Sequence, residues 1–238
     1  MILAAGRGER MRPLTDTTPK PLLEVHGKPL IEYHIERLAT AGIKRIVINH
    51  AWLGEKIVQR IGNGSRFNVD IVYSPEETAL ETAGGIKQAL PQLCEHTASD
   101  AFLVVNGDVF TDFCFANMLE NLRDHGKGLT KELPLAHLIL VANPPHNPEG
   151  DFYLHGNRVC KIQYKDVSAE QRAPHKYTFS GIGVYRKALF DGLSQASQRL
   201  APVLVDAMAK NQVSGSLHQG VWVDIGTPER LTQLNAQR

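Results

Sequence analysis

Cysteine, long hydrophobic runs and an excess of one charge are all scarce in this chain, and each absence excludes a class of protein. Only three cysteines occur in 238 residues, at no spacing typical of a disulfide framework or a zinc site. No run of about 18 apolar residues is present, so the sequence predicts no membrane span. The 26 basic and 25 acidic residues nearly cancel, so no global field would recruit nucleic acid or a membrane surface.

The composition nevertheless provides enough apolar material for one substantial core. Hydrophobic residues make up 42% of the chain, which suits a single α/β domain of this length. The apolar start of the chain ends at Ala5, too early for a signal peptide. We therefore expect a cytoplasmic protein that acts on small molecules, without nucleic-acid or membrane partners. Nothing in the sequence indicates an oligomer, and a monomer is compatible with it.

The most informative segment is the glycine loop of residues 3–14 (LAAGRGERMRPL), which follows the first apolar strand. Gly6 and Gly8 would let backbone N–H groups approach an anion closely, and three arginines lie within a few positions of them. Further on, Lys20 stands between two prolines. Together these features predict a loop that holds a polyphosphate. A glycine turn with solvated arginines is the structural alternative.

Two common phosphate loops do not fit this segment. The dinucleotide fingerprint requires a third glycine at the position of Met11. The ATPase P-loop requires Gly-Lys-Ser/Thr, whereas Gly8 is followed by Glu9 and Arg10. The loop therefore predicts a different kind of triphosphate site.

Apolar strands alternate with amphipathic helices through the first half of the chain, and the second half is richer in strands. This order predicts an α/β fold with a Rossmann-like, mostly parallel sheet flanked by helices, and a smaller β-rich subregion. Ligands of such sheets bind beyond the carboxyl ends of the strands. The predicted strands are 43–49, 69–73, 101–106, 135–141, 152–154, 159–164, 177–185 and 221–225. The predicted helices are 30–41, 53–61, 85–93, 113–122, 187–193, 200–210 and a last one capped by Thr227 with Pro228 at its first position.

Two aspartates stand at the carboxyl ends of predicted strands. Asp108 follows one strand through Asn106-Gly107, and Asp224 ends the strand that begins at Val221. Carboxylates that arrive from two strand ends can hold one Mg²⁺, which takes oxygen ligands and commonly adds phosphate oxygens. For each aspartate taken alone, turn or helix-start chemistry is an equal alternative.

Residues 3–15 and 19–23 resemble the signature of sugar-1-phosphate nucleotidyltransferases, L-A-A-G-x-G-x-R-[ML]-x-P-L-T followed by P-K-P-L-L. The resemblance implies that the loop wraps a nucleoside triphosphate and that Mg²⁺ is the cofactor. It implies catalytic roles for Arg10, Lys20 and Asp108. The implied nucleotide-binding residues are Gly6, Gly8, Glu9, Arg10, Lys20 and Asn106, and the implied metal ligands are Asp108 and Asp224.

The resemblance implies that two further segments bind the base and the sugar. Gly84 and Gly85, in the segment 80–86 (LETAGGI), would approach the flat edge of the base without a Cβ in the way. A loop that leads into a helix is the structural alternative, and the residues do not choose uracil over guanine. Asn143, Gly150 and Asp151 could bind sugar hydroxyls or an acyl group, with turn chemistry as the alternative.

Residues 143–154, 48–54 and 178–181 resemble a narrower branch of this family. Its members transfer uridylyl from UTP to N-acetylmuramate 1-phosphate in bacterial peptidoglycan recycling. Residues 1–142 would then mainly bind the nucleotide, and residues 143–238 the sugar. Sister guanylyl-, thymidylyl- or uridylyltransferases of mannose or glucose 1-phosphate are alternatives, as is an inactive nucleotide-sugar sensor.

Three features depart from the family pattern. The chain begins inside its first strand, so we expect that strand to be short. Residues 128–135 and 169–176 are longer than usual for the connections they form. No hexapeptide repeat is present, so no appended β-helix is expected.

Overall fold

The computed structural model describes residues 1–95, 100–119, 134–161, 176–194 and 196–237. The strands are β1 (Ile2–Leu3), β2 (Glu24–Val25), β3 (Lys28–Pro29), β4 (Arg45–His50), β5 (Asp70–Pro75), β6 (Ala101–Asn106), β7 (Val109–Thr111), β8 (Ala136–Val141), β9 (Phe152–His155), β10 (Arg158–Cys160), β11 (Lys176–Arg186), β12 (Val213–His218) and β13 (Trp222–Asp224). The helices are α1 (Leu14–Thr17), α2 (Leu30–Thr40), α3 (Gly54–Ile61), α4 (Glu81–Cys94), α5 (115–119), α6 (Leu200–Ala209) and α7 (Pro228–Ala236). Short 3₁₀ turns span Glu9–Met11, Lys20–Leu22, Ser65–Phe67 and Lys187–Phe190.

The α/β fold class is confirmed, and its main sheet is mixed. The order across the sheet is β5-β4-β1-β6-β11-β8-β12-β10-β9. The first four strands are parallel, as is the pair β8–β12, whereas every other pairing is antiparallel. The expectation of a mostly parallel sheet is therefore wrong for the second half. The β9–β10 connection has only two residues, Gly156 and Asn157, and so short a hairpin joins only antiparallel strands.

Helices cover both faces of the sheet. The pleat of β6 sends Phe102 and Val104 to one side and Leu103 and Val105 to the other. The first side packs against α4 and α6, and the second packs against α2 and α3. Among the described residues, no helix is both long and apolar enough to cross a membrane.

Predicted and observed elements agree best where apolar runs are continuous. The strand 101–106 agrees at both ends, and α7 has Thr227 as its cap, whose side chain accepts a hydrogen bond from Arg230 N. The strand Val213–His218 was not predicted, because its small and polar residues carry no apolar run. The helix expected at 113–122 is helical from 115 to 119, and the rest of its C-terminal part is not described. The long connections 128–135 and 169–176 lie almost wholly outside the described residues.

A buried carboxylate on α2 ties three elements together. Glu32 is 8% exposed, and its Oε1 accepts hydrogen bonds of 2.8 Å from Arg60 of α3 and from Arg66 of the neighbouring 3₁₀ turn. One turn later, Glu36 pairs with Lys28 near the surface, where the glutamate is 45% exposed. The two glutamates therefore offer a matched comparison of a buried and an exposed ion pair on one helix.

We expect Glu32→Ala to lower the free energy of unfolding by about 2 kcal/mol, because it removes two charge-assisted hydrogen bonds from a buried acceptor. Glu36→Ala should cost less than about 1 kcal/mol, since an exposed pair is screened by water. Chemical denaturation of both variants measures the difference. Equal losses would contradict the role assigned to Glu32.

Candidate active site

A two-stranded ribbon beyond the carboxyl end of β6 brings the two aspartates predicted to bind metal next to each other. Strands β7 and β13 pair antiparallel, with Asp224 opposite Val109. The amide of Ile225 also donates to the carbonyl of Asp108, at 3.0 Å. Asp108 and Asp224 are therefore adjacent across the ribbon, although 116 positions separate them in the chain.

A histidine of α2 holds the start of β7 through a hydrogen bond. His34 is 1% exposed, and its Nε2 donates to the carbonyl of Val109 at 2.8 Å. Burial lowers the pKa of His34 to about 4, so the ring is neutral at neutral pH. This residue fixes the backbone beside Asp108 and was not identified from the sequence.

Lys20 reaches the first carboxylate directly. Its Nζ lies 2.6 Å from Oδ2 of Asp108, and its side chain is only 10% exposed. The 3₁₀ turn Lys20–Leu22, with Pro19 before it, sets the direction of the lysine. Gly8 adopts a φ of +69°, and a Cβ there would lie 3.0 Å from Thr15 and 3.4 Å from the Cβ of Lys20. The glycine loop therefore packs on the stem of the lysine.

The second carboxylate, that of Asp224, pairs with Arg230, a residue that no sequence motif marks. Nη1 of Arg230, in the first turn of α7, lies 2.6 Å from Oδ2 of Asp224. Arg230 also donates to Nε2 of His146, at 3.3 Å. Burial, together with the charge of Arg230, lowers the pKa of His146, in keeping with a neutral ring that accepts this bond. A Cβ on Gly226 would lie 2.8 Å from Arg230, 3.1 Å from Asp224 and 3.2 Å from Nη2 of Arg10.

The other arginines of the glycine loop brace the loop itself. Arg7 stacks 3.7 Å from the centre of the Trp52 ring and donates to the carbonyl of Thr15 at 2.9 Å. Arg12 bonds to Asp16 at 2.8 Å. Glu9 opens the 3₁₀ turn after Gly8, and a Cβ on Gly6 would meet no atom within 4 Å. Of the three arginines, Arg10 alone therefore lies beside a predicted metal carboxylate.

A buried polar network joins the start of the loop to α4. Asn49 accepts from the amide of Ala4 at 2.9 Å and donates to Glu76 at 2.7 Å. The other oxygen of Glu76 accepts from the amide of Leu80, just before α4. Neither residue was identified as a site residue from the sequence, since Glu76 belongs to no motif and Asn49 lies in the segment 48–54, which carried only the family resemblance.

Gly84 and Gly85 lie inside α4, not ahead of it, because the helix begins at Glu81. Both are buried. A Cβ on Gly85 would lie 2.5 Å from Glu76, and one on Gly84 would lie 2.6 Å from the carbonyl of Ala196. Close packing thus requires glycine at both positions, whatever their part in binding a base.

The predicted sugar residues form one hydrogen-bonded group. Asn143 donates to the carbonyls of Pro148 and Lys176 and accepts from Thr178. Gly150, at a φ of +62°, leaves room for the Asn143 amide, since a Cβ would lie 2.7 Å from its oxygen. Asp151 accepts from the amide of Phe179 at 2.8 Å. The structure brings the three residues together as a braced loop.

A cavity of about 380 Å³ lies between this loop, α4 and α6. Asn106, at the end of β6, connects the cavity to the carboxylate ribbon, and Gly181 packs against its side chain. The lining consists of Glu81, Thr82, Asn106, Asp151, Phe152, Lys161, Phe179, Arg199, Leu200, Ala201, Leu204 and Val205. Residues from both halves of the chain therefore line one space, which reaches the site through Asn106, whereas Lys20, Asp108 and Asp224 are not among its lining residues.

Comparison with known proteins agrees with this geometry. The N-acetylmuramate alpha-1-phosphate uridylyltransferase of Neisseria meningitidis serogroup B is 52% identical over 99% of this chain and 96% of its own length. The mannose-1-phosphate guanylyltransferase catalytic subunit beta of Xenopus tropicalis is 29% identical over 96% of this chain. The chain spans 61% of that longer relative.

Solved structures share the fold at lower identity. A candidate glucose-1-phosphate thymidylyltransferase from Bacillus anthracis, in complex with a sucrose, superimposes with a TM-score of 0.81 at 21% identity, covering 99% of this chain and 92% of that one. HddC from Yersinia pseudotuberculosis gives a TM-score of 0.72 at 20% identity, covering 98% and 96%. The sequence model of nucleotidyl transferases matches residues 1–238. The family expected from the glycine loop is confirmed, and the chain belongs to the nucleotidyl transferase family.

Proposed function

We propose that this protein transfers uridylyl from UTP to N-acetylmuramate 1-phosphate, giving the UDP-sugar and pyrophosphate. The observation that carries the proposal is the juxtaposition of Lys20 with Asp108, beside Asp224 and the glycine loop. The choice of base and sugar rests on the 52% identity to the meningococcal uridylyltransferase over nearly the whole of both chains. Residues 1–142 would mainly serve the nucleotide, and residues 143–238 the sugar.

The donor set of the ribbon fits Mg²⁺. Two carboxylates lie adjacent at strand ends, and Mg²⁺ is usually held by one or two carboxylates together with substrate phosphates and water. The described residues contain no group of three or more potential ligands, so Asp108 and Asp224 would be the protein's share of the coordination. When bound, the ion supplies charge neutralisation on the reacting phosphates.

The chain's own residues would have two tasks, namely alignment and charge neutralisation. The nucleophile needs no side-chain base, since a phosphate monoester has a second pKa near 6 and is already ionised at neutral pH. Arg10 and Lys20 would stabilise the departing pyrophosphate, and the glycine loop would hold the triphosphate in line with the attacking oxygen. Gly6, Gly8 and Glu9 would donate backbone N–H groups to the triphosphate. Gly84, Gly85 and Asn106 would face the nucleoside, and Asn143, Gly150 and Asp151 would face the sugar.

Two alternatives are less well supported. The guanylyltransferase relatives are more distant, at 29% identity for the Xenopus tropicalis protein, and this chain spans only 61% of that length. An inactive sensor would need no intact charge arrangement, yet Lys20, Asp108 and Asp224 are all present at the ribbon.

We expect pyrophosphate release to be fastest with UTP and N-acetylmuramate 1-phosphate. The measurement is a panel of UTP, GTP, CTP and dTTP, each with the 1-phosphates of N-acetylmuramate, N-acetylglucosamine, glucose and mannose. A faster rate with GTP and mannose 1-phosphate would contradict the proposal. Release with no sugar phosphate serves as the blank.

Asp108→Asn should lower turnover at least about a hundredfold, because it removes one of the two carboxylates that would hold Mg²⁺. Asp112→Asn is the matched control, because Asp112 directly follows β7 whereas Asp108 directly precedes it, and Asp112 pairs with His218. The turnover of the Asp112 variant should stay within about twofold of the wild-type value. Near-normal turnover of the Asp108 variant in Mg²⁺ would remove Asp108 from the metal site.

Lys20→Met should lower kcat/KM at least about tenfold, the scale of one lost charge-assisted contact. Lys28→Met removes a lysine that pairs with Glu36 near the surface and should leave the rate unchanged. Steady-state kinetics with a thermal unfolding check on both variants separates loss of the contact from loss of the fold. An unchanged kcat/KM in a folded Lys20 variant would refute its role.

A further inference from the structure

The substrate proposed above carries a group that most sugar 1-phosphates lack. N-acetylmuramate bears a lactyl ether whose carboxylate is negatively charged at neutral pH, whereas N-acetylglucosamine has a hydroxyl at that position. Taking this carboxylate out of water is costly unless a cation or hydrogen-bond donors meet it. An enzyme that selects this sugar therefore needs a positive group or hydrogen-bond donors beside the bound ring, and a cation gives the stronger contact.

The cavity that Asn106 lines contains two such groups. Lys161 directly follows β10, Arg199 directly precedes α6, and both line the cavity. The remaining wall is largely apolar, with Phe152 and Phe179 on one side and the first turns of α6 on the other. Apolar walls suit the methyl groups of the acetyl and lactyl substituents, and the two cations suit the carboxylate.

Both cations are loosely held in comparison with those of the ribbon. Arg199 Nε lies 3.8 Å from Glu81, with the two side chains 79% and 49% exposed. Lys161 makes a 3.3 Å hydrogen bond to the main-chain carbonyl of Asp151. Lys20 and Arg230, by contrast, each lie 2.6 Å from a carboxylate. A substrate carboxylate could therefore engage Arg199 or Lys161 without breaking a short ion pair.

The acidic residues of the same cavity have partners of their own. Asp151 accepts hydrogen bonds from the amide of Phe179 and from Asn147, which offset its charge toward a ligand. Glu81 faces Arg199 and would have to share it. Arginine suits this sharing, since its planar fork offers several N–H donors to oxygen acceptors.

We propose that Arg199, assisted by Lys161, binds the lactyl carboxylate and so selects N-acetylmuramate 1-phosphate over the 1-phosphates of sugars that lack a carboxylate. The inference rests on the proposed function and names the residues that would confer its sugar specificity. Arg199 supplies the directional contact, and Lys161 supplies a second positive charge. Neither residue is required for the chemistry at the α-phosphate.

The test compares N-acetylmuramate 1-phosphate with its lactyl amide, which has nearly the same shape but no charge on the lactyl group. Wild-type protein should prefer the acid at least about tenfold in kcat/KM, the scale of one charge-assisted contact. Arg199→Met should lose most of this preference through a higher KM for the acid, with the amide little affected. Lys161→Met should lose part of it, and Arg199→Lys should restore part. Lys210→Met, at the other end of α6, is the control and should behave as wild type.

The outcomes separate the inference from the function on which it rests. If Arg199→Met lowers kcat/KM equally for acid and amide, the arginine acts on another group, such as the 1-phosphate, and the inference is overturned. A full preference for the acid in both cation variants would also overturn it. If wild-type protein transfers no uridylyl to N-acetylmuramate 1-phosphate, the proposed function fails, and the inference fails with it.

Discussion

The pairing of β7 with β13 is the constraint on which the site depends. It joins a strand from the first half of the chain to one near the end, and so makes Asp108 and Asp224 neighbours. The ribbon is short, and three other elements support it. His34 of α2 binds its backbone, and α7 packs on the same apolar cluster as the glycine loop through Met11, Ile225 and Leu231. The carboxylates are thus set by packing on both sides and not by the ribbon alone.

Charge is arranged around this ribbon in matched pairs. Each aspartate meets one cation at 2.6 Å, Lys20 for Asp108 and Arg230 for Asp224. Each cation offsets the negative charge of the aspartate that it meets. The same cations are suited to polyphosphate, because their positive charge can interact with phosphate oxygens. One set of side chains can therefore hold the carboxylates together and favour a highly charged substrate.

Glycines mark the points where this arrangement leaves no room for a side chain. Gly8 packs on the stem of Lys20, Gly85 on the Asn49–Glu76 pair, and Gly226 on the Arg10, Asp224 and Arg230 group. From the sequence, the glycines of the loop were explained by the close approach of their backbone N–H groups to phosphate. In the structure at least part of the requirement for glycine comes from packing against the side chain of Lys20. Binding and packing therefore act on the same residues, and a motif alone does not separate them.

The sequence by itself determined the α/β class, the strand 101–106, the capped last helix and the family, because continuous apolar runs and a dense local motif carry these signals. It also identified Lys20, Asp108 and Asp224 one by one. Only the tertiary structure decided which of them meet, and it added Arg230, His34, Asn49 and Glu76, none of which the sequence had marked as a site residue. The mixed sheet, the strand Val213–His218 and the position of Gly84 and Gly85 inside α4 likewise followed from the fold. The physical reason is that these features depend on contacts between residues far apart in the chain, whereas hydrophobic periodicity and turn chemistry report only on neighbours.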